Sequence, residues 1–395
     1  MNPFTPATIA PLAQQFGTPL WIYDADTITR QIAALRLFDV VRFAQKANSN
    51  THILRLMKRQ GAVVDSVSLG EIERALAGGF TPGLHNGHAD IVFTADLLDR
   101  ATLARVVELN IPVNCGSMDM LDQLGAVNPG HPVWLRINPG FGHGHSKKTN
   151  TGGEHSKHGI WHGDLVRACE KIKSNGLALQ GLHMHIGSGV DYAHLQEVCG
   201  AMLKLVEVVN AQGLDLHAIS AGGGLSVPYQ AGEPAIDTAH YFSLWDAARH
   251  AVEQLLEHPV KLEIEPGRYL MAESGVLVTE VRATKQQGAN HFVMVDAGFS
   301  DLARPALYGA YHGMELIHSD GTAVNGLQFD TVVAGPLCES GDVFTQGEGG
   351  VVLHRSLPQA QVGDLLVLHD TGAYGASMSS NYNARPLIAE VLMEN

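Results

Sequence analysis

The chain has 395 residues, 45% of them hydrophobic and 17% charged, with a formal net charge of −14 at pH 7. That is enough to bury a large core and, at this length, to build two domains, while the acidic balance and the lack of a Lys/Arg block argue against a nucleic-acid partner. Four scattered cysteines without CxxC spacing suggest neither a zinc cluster nor a disulfide framework, and without a signal-like start or a run of about 20 apolar residues, the expectation is a cytoplasmic protein with no membrane anchor.

A strand-like run comes first, at 19–24, and an amphipathic helical pattern follows it to residue 37. Apolar, strand-like runs then recur near 39–46, 63–68, 90–95, 111–115, 132–138, 178–186, 216–221 and 261–265. Helical patterns separate most of them, at 53–60, 69–77, 97–109, 194–211 and 241–256. Eight strands alternating with helices over ~250 residues predict a (β/α)8 TIM barrel. An open doubly wound sheet is the alternative, and the count of eight favours the barrel. Beyond residue 265 the rhythm changes. Runs at 276–284, 291–296, 329–334, 350–355 and 364–369 are β-rich, with Gly and Pro turns between them. The fold class expected is therefore α/β plus β, a barrel with a second all-β barrel or sandwich domain. Residues 25–270 form the barrel and 271–395 the β domain, to which the strand within 1–24 is assigned because it has no place among the eight. Residues 140–158 are rich in Gly, His and Lys without periodicity, and a loop this long is expected to serve a functional site.

Barrels place their chemistry at the C-terminal ends of the strands. Strand one ends at Lys46, in FAQKANSN; strand two carries Asp65; strand five carries Arg136 and Asn138. Strand six ends in HMHIGS, which holds His183, His185 and Ser188. Strand seven ends in Gly222, Gly223 and Gly224, and strand eight in Glu265, Pro266, Gly267 and Arg268. Consecutive glycines let backbone N–H groups approach an anion without Cβ clashes. Arg268 adds a cation where barrels often bind phosphate. Lys46 stands at the end of an apolar strand, either reaching to solvent or, if desolvated, able to form a Schiff base. Glu265 could keep a pyridinium nitrogen protonated. Lysine, phosphate cradle and carboxylate are together what pyridoxal 5′-phosphate (PLP) requires. The pair His183 and His185 could also ligate a metal, but no carboxylate or third histidine is spaced to complete that site, and no metal is expected there. His185, nearer the rim, is the better placed to stack on a flat ring.

The ordered motifs FAQKANSN, DSVSLGEIERAL, SKHGI, HMHIGS, AGGGLSVPY, EPGRYL, DAGFSDLARPALYGAYH, GPLCESGDV and DTGAYGASMSSNYNARP resemble the fold-type III PLP decarboxylases, the alanine-racemase-like barrel family, over nearly the whole chain. The resemblance implies that Lys46 is the Schiff-base lysine and that His185 stacks on the cofactor ring. It implies that Ser188, Gly224, Arg268 and Tyr374 contact phosphate or cofactor and that Glu265 partners the pyridine. Cys338 would be the proton donor, reaching the site from a second subunit together with Glu339 and Tyr374, so a homodimer is implied.

Substrate choice has its own residues. In RPALYGA, Arg304 and Tyr308 resemble the pair that holds a carboxylate at the substrate's distal end, with Glu339, Arg268 and Tyr374 as further substrate contacts. A guanidinium grips a carboxylate bidentately and would repel the distal ammonium of ornithine or lysine. The resemblance thus implies decarboxylation of meso-2,6-diaminopimelate to L-lysine and CO2, the last step of lysine biosynthesis. One departure stands out: the common SKFG reads SKHG, with His158 in place of the aromatic.

Overall fold

Eight short parallel strands close on themselves in chain order. They are Val40–Ala44, Val63–Ser66, Ile91–Ala95, Val113–Cys115, Pro132–Asn138, Ala178–His183, Ala218–Ser220 and Lys261–Ile264. Each pairs with the next, and the eighth returns to the first with Glu263 opposite Val40. The expected barrel is thus present, and closure rules out the open sheet. Strand one is buried throughout, as expected of a barrel strand covered on both faces. Arg42 on that strand is buried too. Its guanidinium forms an ion pair with Glu263 of strand eight at 2.9 Å and donates to the Ala89 carbonyl at 3.0 Å. Removing either partner would strand a buried charge, at a cost of about 3–5 kcal/mol.

The computed structural model describes residues 2–142, 152–185, 187, 189 and 192–394. They fall into two compact units. Thr29–Ser226 and Ile236–Tyr269 make the barrel, and the residues up to Ile28, Val227–Ala235 and those from Leu270 onward make the other. Barrel helices begin where side chains can cap them. Asn50, Ser68, Asp99 and Asp237 each accept a backbone N–H at the start of Thr51–Arg59, Leu69–Ala77, Arg100–Glu108 and Thr238–Leu256. Two further helices, Met118–Val127 and Leu165–Ser174, complete the alternation that periodicity left incomplete. The first interrupts its buried face with Gly125, and the second buries Leu165, Ala168, Cys169 and Ile172 at helical spacing. No helix among the described residues is long and apolar enough to cross a membrane.

The second unit is built on an eight-stranded, mostly antiparallel sheet. Its long strand Gly275–Gln287 pairs with Leu20–Asp24, Asn290–Val295 and Leu365–Leu368. A bulge between Val281 and Ala283 lets it turn from one set of neighbours to the other. Leu20–Asp24 also pairs in parallel with Ala389–Met393. The helix Pro6–Phe16 starts with Thr5 and Thr8 in a reciprocal capping box and packs Ile9, Ala10 and Ala13 into a core with Leu20, Ile22, Val276, Val278 and Val367. Neither this helix nor the strands Met314–Ile317 and Ala389–Met393 stands out by periodicity. The β run expected at 350–355 is mostly irregular: a 3-10 turn, Glu348–Gly350, with Gly349 and Gly350 at positive φ, reverses the chain so that Val352 bridges back to Gln346, and a regular strand begins only at Arg355.

Candidate active site

Most barrel residues expected to carry chemistry gather at the C-terminal ends of the strands. Strand one runs into a 3-10 turn, Gln45–Ala47, in which Lys46 is exposed between buried Gln45 and Ala47. The lysine therefore reaches the solvent-facing rim and is not desolvated by the protein alone. Strand two places Asp65 in full burial, and strand five does the same for Arg136. Ser68 lies beyond its strand and caps a helix.

Glu265 is the most heavily held group of the set. Its Oε2 lies at ion-pair distance, 2.9 Å, from Nε2 of His183, which is 1% exposed. The Ser220 hydroxyl donates to Oε1 at 2.7 Å, and the Glu265 amide donates to the Gly222 carbonyl at 2.8 Å. Burial opposes the charge, but His183, Ser220 and Arg42 more than compensate and hold the carboxyl at about 2. Asp65 behaves oppositely. Burial, and repulsion from Glu265, push it up to about 8. Two neighbouring carboxyls are thus driven apart, one kept ionised and the other kept protonated at neutral pH. Burial pulls the Arg136 guanidinium below its ordinary value, against the charges of Asp96, Glu265 and Asp65.

His185 lies just past strand six. Its Nδ1 accepts the Gly223 N–H at 3.2 Å, which places the ring proton on Nε2. Burial, together with the nearby cations Arg136 and Lys46, holds it well below its ordinary value, so the ring is neutral and free of positive charge on its faces. The glycines after strand seven have no room for side chains. A Cβ on Gly223 would lie 2.6 Å from the Glu265 carbonyl, and one on Gly224, at φ +108°, would lie 2.5 Å from that of Gly187. Pro266 accepts the Ala44 N–H through its carbonyl at 3.1 Å, tying strand eight to strand one. Arg268, after Gly267, opens the short helix Arg268–Met271 and is half-buried. Ser188 lies outside the described residues, as do residues 143–151 of the loop expected over 140–158.

The β-rich unit carries the other expected residues. Arg304 starts a short helix, Arg304–Tyr308, and is buried. Its Nη1 donates to Nε2 of His312 at 2.9 Å, and the Nδ1–H of His312 donates to the His369 carbonyl at 2.9 Å. The guanidinium also lies 5.0 Å from the ring centre of Tyr229. Arg304 is therefore oriented on two sides. Tyr308 is half-buried. Of the four cysteines, Cys338 alone is exposed. Burial pushes the thiols of Cys169 and Cys199 up to about 11 and about 12, and that of Cys115 higher still, so those three are poor acids and poor nucleophiles. The Cys338 N–H donates to Asn383 Oδ1 at 3.0 Å, and Glu339 beside it is exposed. Tyr374 sits at φ +57°, a conformation an aromatic residue rarely adopts, so its placement is imposed by the surrounding chain.

The geometry assigns roles that patterning did not: His183 stood out only as one of a possible metal pair, and Ser220, His312, Tyr229 and Asn383 did not stand out. His183 and Ser220 fix Glu265; His312 and Tyr229 fix Arg304; Asn383 fixes Cys338. A buried polar residue within an apolar strand was the available signal for Ser220. His312 and Tyr229 lay in quoted motifs, but nothing in one dimension tied them to Arg304.

A cradle of consecutive glycines with no room for Cβ atoms, a carboxylate kept ionised in burial, a neutral imidazole and an accessible lysine amine suit a phosphorylated, protonated pyridine aldehyde. The chain is a barrel-type, pyridoxal-dependent decarboxylase. Residues 25–272 match the pyridoxal binding domain of the pyridoxal-dependent decarboxylases. The chain is 67% identical, over 97% of its own length and 90% of that protein's, to the diaminopimelate decarboxylase of Escherichia coli. A crystal structure of a diaminopimelate decarboxylase superposes with a TM-score of 0.94 at 66% identity, covering 99% of this chain and 92% of the other. That of Helicobacter pylori complexed with L-lysine superposes with a TM-score of 0.84 at 30% identity, covering 97% and 93%. The chain belongs to the family of the diaminopimelate decarboxylases.

Proposed function

We infer that this chain removes CO2 from the D-configured centre of meso-2,6-diaminopimelate and releases L-lysine, the final step of lysine biosynthesis. The observation that carries the choice of substrate is Arg304, a buried guanidinium held between His312 and Tyr229. A substrate with a distal carboxylate gains a charge-assisted pair there, whereas ornithine or lysine would present an ammonium to a cation.

PLP, when bound, supplies the electron sink for the carbanion left by the departing CO2. The chain's own residues divide the remaining work. Lys46 holds the cofactor through its amine. Gly222, Gly223, Gly224, Ser188, Arg268 and Tyr374 take its phosphate and edge. Glu265, kept anionic by His183 and Ser220, holds the proton on the ring nitrogen. His185, a neutral imidazole, would lie against the cofactor ring without opposing that proton. Asp65 and Arg136 complete the barrel's contribution. Arg304, Tyr308 and Glu339 grip the distal end of the substrate. The Cys338 thiol delivers a proton to the carbon that lost CO2.

We take residues 1–24 and 271–395 as the β domain and 25–270 as the cofactor domain. The proton donor comes from a second copy of the chain, which makes the enzyme a homodimer; it works in the cytoplasm, with no nucleic-acid partner. The test is CO2 release and L-lysine formation from meso-diaminopimelate beside ornithine, arginine, lysine and carboxynorspermidine. Faster turnover of any substrate lacking the distal carboxylate would overturn the reading.

A further inference from the structure

We propose that Asp215, His217 and His258 form a binding site for a zinc-class divalent ion at the N-terminal end of the barrel. Asp215 and His217 lie just before strand seven, Ala218–Ser220, and His258 just before strand eight, Lys261–Ile264. These are adjacent parallel strands, so the segments leading into them lie side by side. Their other ends carry Gly222–Gly224 and Glu265. The site is thus remote from the decarboxylation chemistry, and it stands whether or not the proposed substrate is right.

The potential ligand atoms of the three residues lie within 4.8 Å of one another, the one such group among the described residues. Donors around a tetrahedral ion at ~2.0–2.1 Å are roughly 3.3 Å apart. Asp215 and His217 are exposed and His258 is half-buried, so small rotations of side chains with room to move would close the set.

The surroundings already orient it. The Nδ1 of His258 bonds to the Pro259 carbonyl at 2.9 Å and must carry a proton there. Its Nε2 faces Asp215 Oδ1 at 2.8 Å, and a carboxylate can only accept. The ring has an acceptor at each nitrogen, so Nε2 must hold either a second proton or a cation. A carbonyl behind one nitrogen with the other aimed outward is the usual support of a metal-bound histidine. Asp215 Oδ1 also accepts the Leu216 N–H at 2.8 Å. His217 is pinned through its backbone, with its N–H on Gln180 and its carbonyl accepting from Lys261, both at 3.0 Å. Its ring centre lies 5.6 Å from that of His258.

Two imidazoles and one carboxylate suit Zn2+, Ni2+ or Cu2+ better than Mg2+ or Ca2+, which prefer oxygen donors. Water would fill the remaining positions. His217 also lines a 410 Å3 cavity at this end of the barrel, with Asp39, Arg42, Trp134 and Arg249.

The experiment uses PLP-loaded enzyme stripped of adventitious metal, in a Cys338→Ser background that takes away the exposed thiol as a rival ligand. Equilibrium dialysis against ZnCl2 should give one zinc per chain, and thermal melts should rise by about 2 °C with zinc at saturation. His217→Ala and His258→Ala should each weaken binding by at least about tenfold and remove the rise in Tm. Circular dichroism and the visible cofactor band should stay unchanged, and millimolar MgCl2 should not substitute. Equal zinc uptake by both variants, or no uptake by the parent, would overturn the proposal.

Discussion

Replacing Glu265 with Gln tests the centre of the site. The carboxyl is held at about 2 against an ordinary 4.5, so the ionised form is favoured by about 3 kcal/mol, even though burial alone would favour the acid. That stabilisation comes from His183 and Ser220, which occupy one oxygen each. Glutamine keeps the shape, and its amide can still meet both partners, but it carries no charge with which to hold a proton on the cofactor ring. Losing the charge that pairs with the ring proton should lower kcat/KM by about two orders of magnitude, the usual worth of one oriented polar partner in a water-excluded site. The assay is L-lysine formation from meso-diaminopimelate at saturating PLP, with circular dichroism to confirm the fold. A Glu265→Gln enzyme within about threefold of the parent, carrying full cofactor, would show that the carboxylate's charge is not what the reaction uses.

The other predictions follow from the same geometry. Asp65 holds its proton up to about pH 8 when folded and only to about 3.8 when unfolded; its raised value therefore costs stability as pH climbs from about 4 to about 8. Thermal melts of the cofactor-free chain should show Asp65→Asn gaining on the parent across that interval, and parallel curves would contradict it. Lys46→Ala should lose the visible absorption band of the bound cofactor, whereas Cys338→Ala should keep the band and lose about 10²–10⁴-fold in turnover. Arg304→Ala should cost about 10–100-fold in kcat/KM for meso-diaminopimelate, the worth of a charge-assisted pair, while PLP titration stays unchanged.

Much of this protein is legible along the chain. The alternation of apolar runs and amphipathic stretches specifies a barrel because each strand and helix must bury its own face locally. Glycine triplets and strand-end residues mark the rim because backbone access and strand ends are local properties. Arg304 stands out by its motif. What one dimension cannot carry is any relation set by closure. Lys46 reads either as a lysine reaching to solvent or as a desolvated one, and the 3-10 turn that presents it to solvent decides between them, because the turn is set by where strand one stops. His183 could be a core histidine until strands six, seven and eight pair and bring it and Ser220 to Glu265, residues separated by up to 82 positions. The opposite ionisation of Asp65 and Glu265 depends on burial and mutual distance, which composition does not encode. The same holds for Asp215, His217 and His258. No spacing rule joins them, and only the side-by-side packing of two parallel strands brings a carboxylate and two imidazoles to one place.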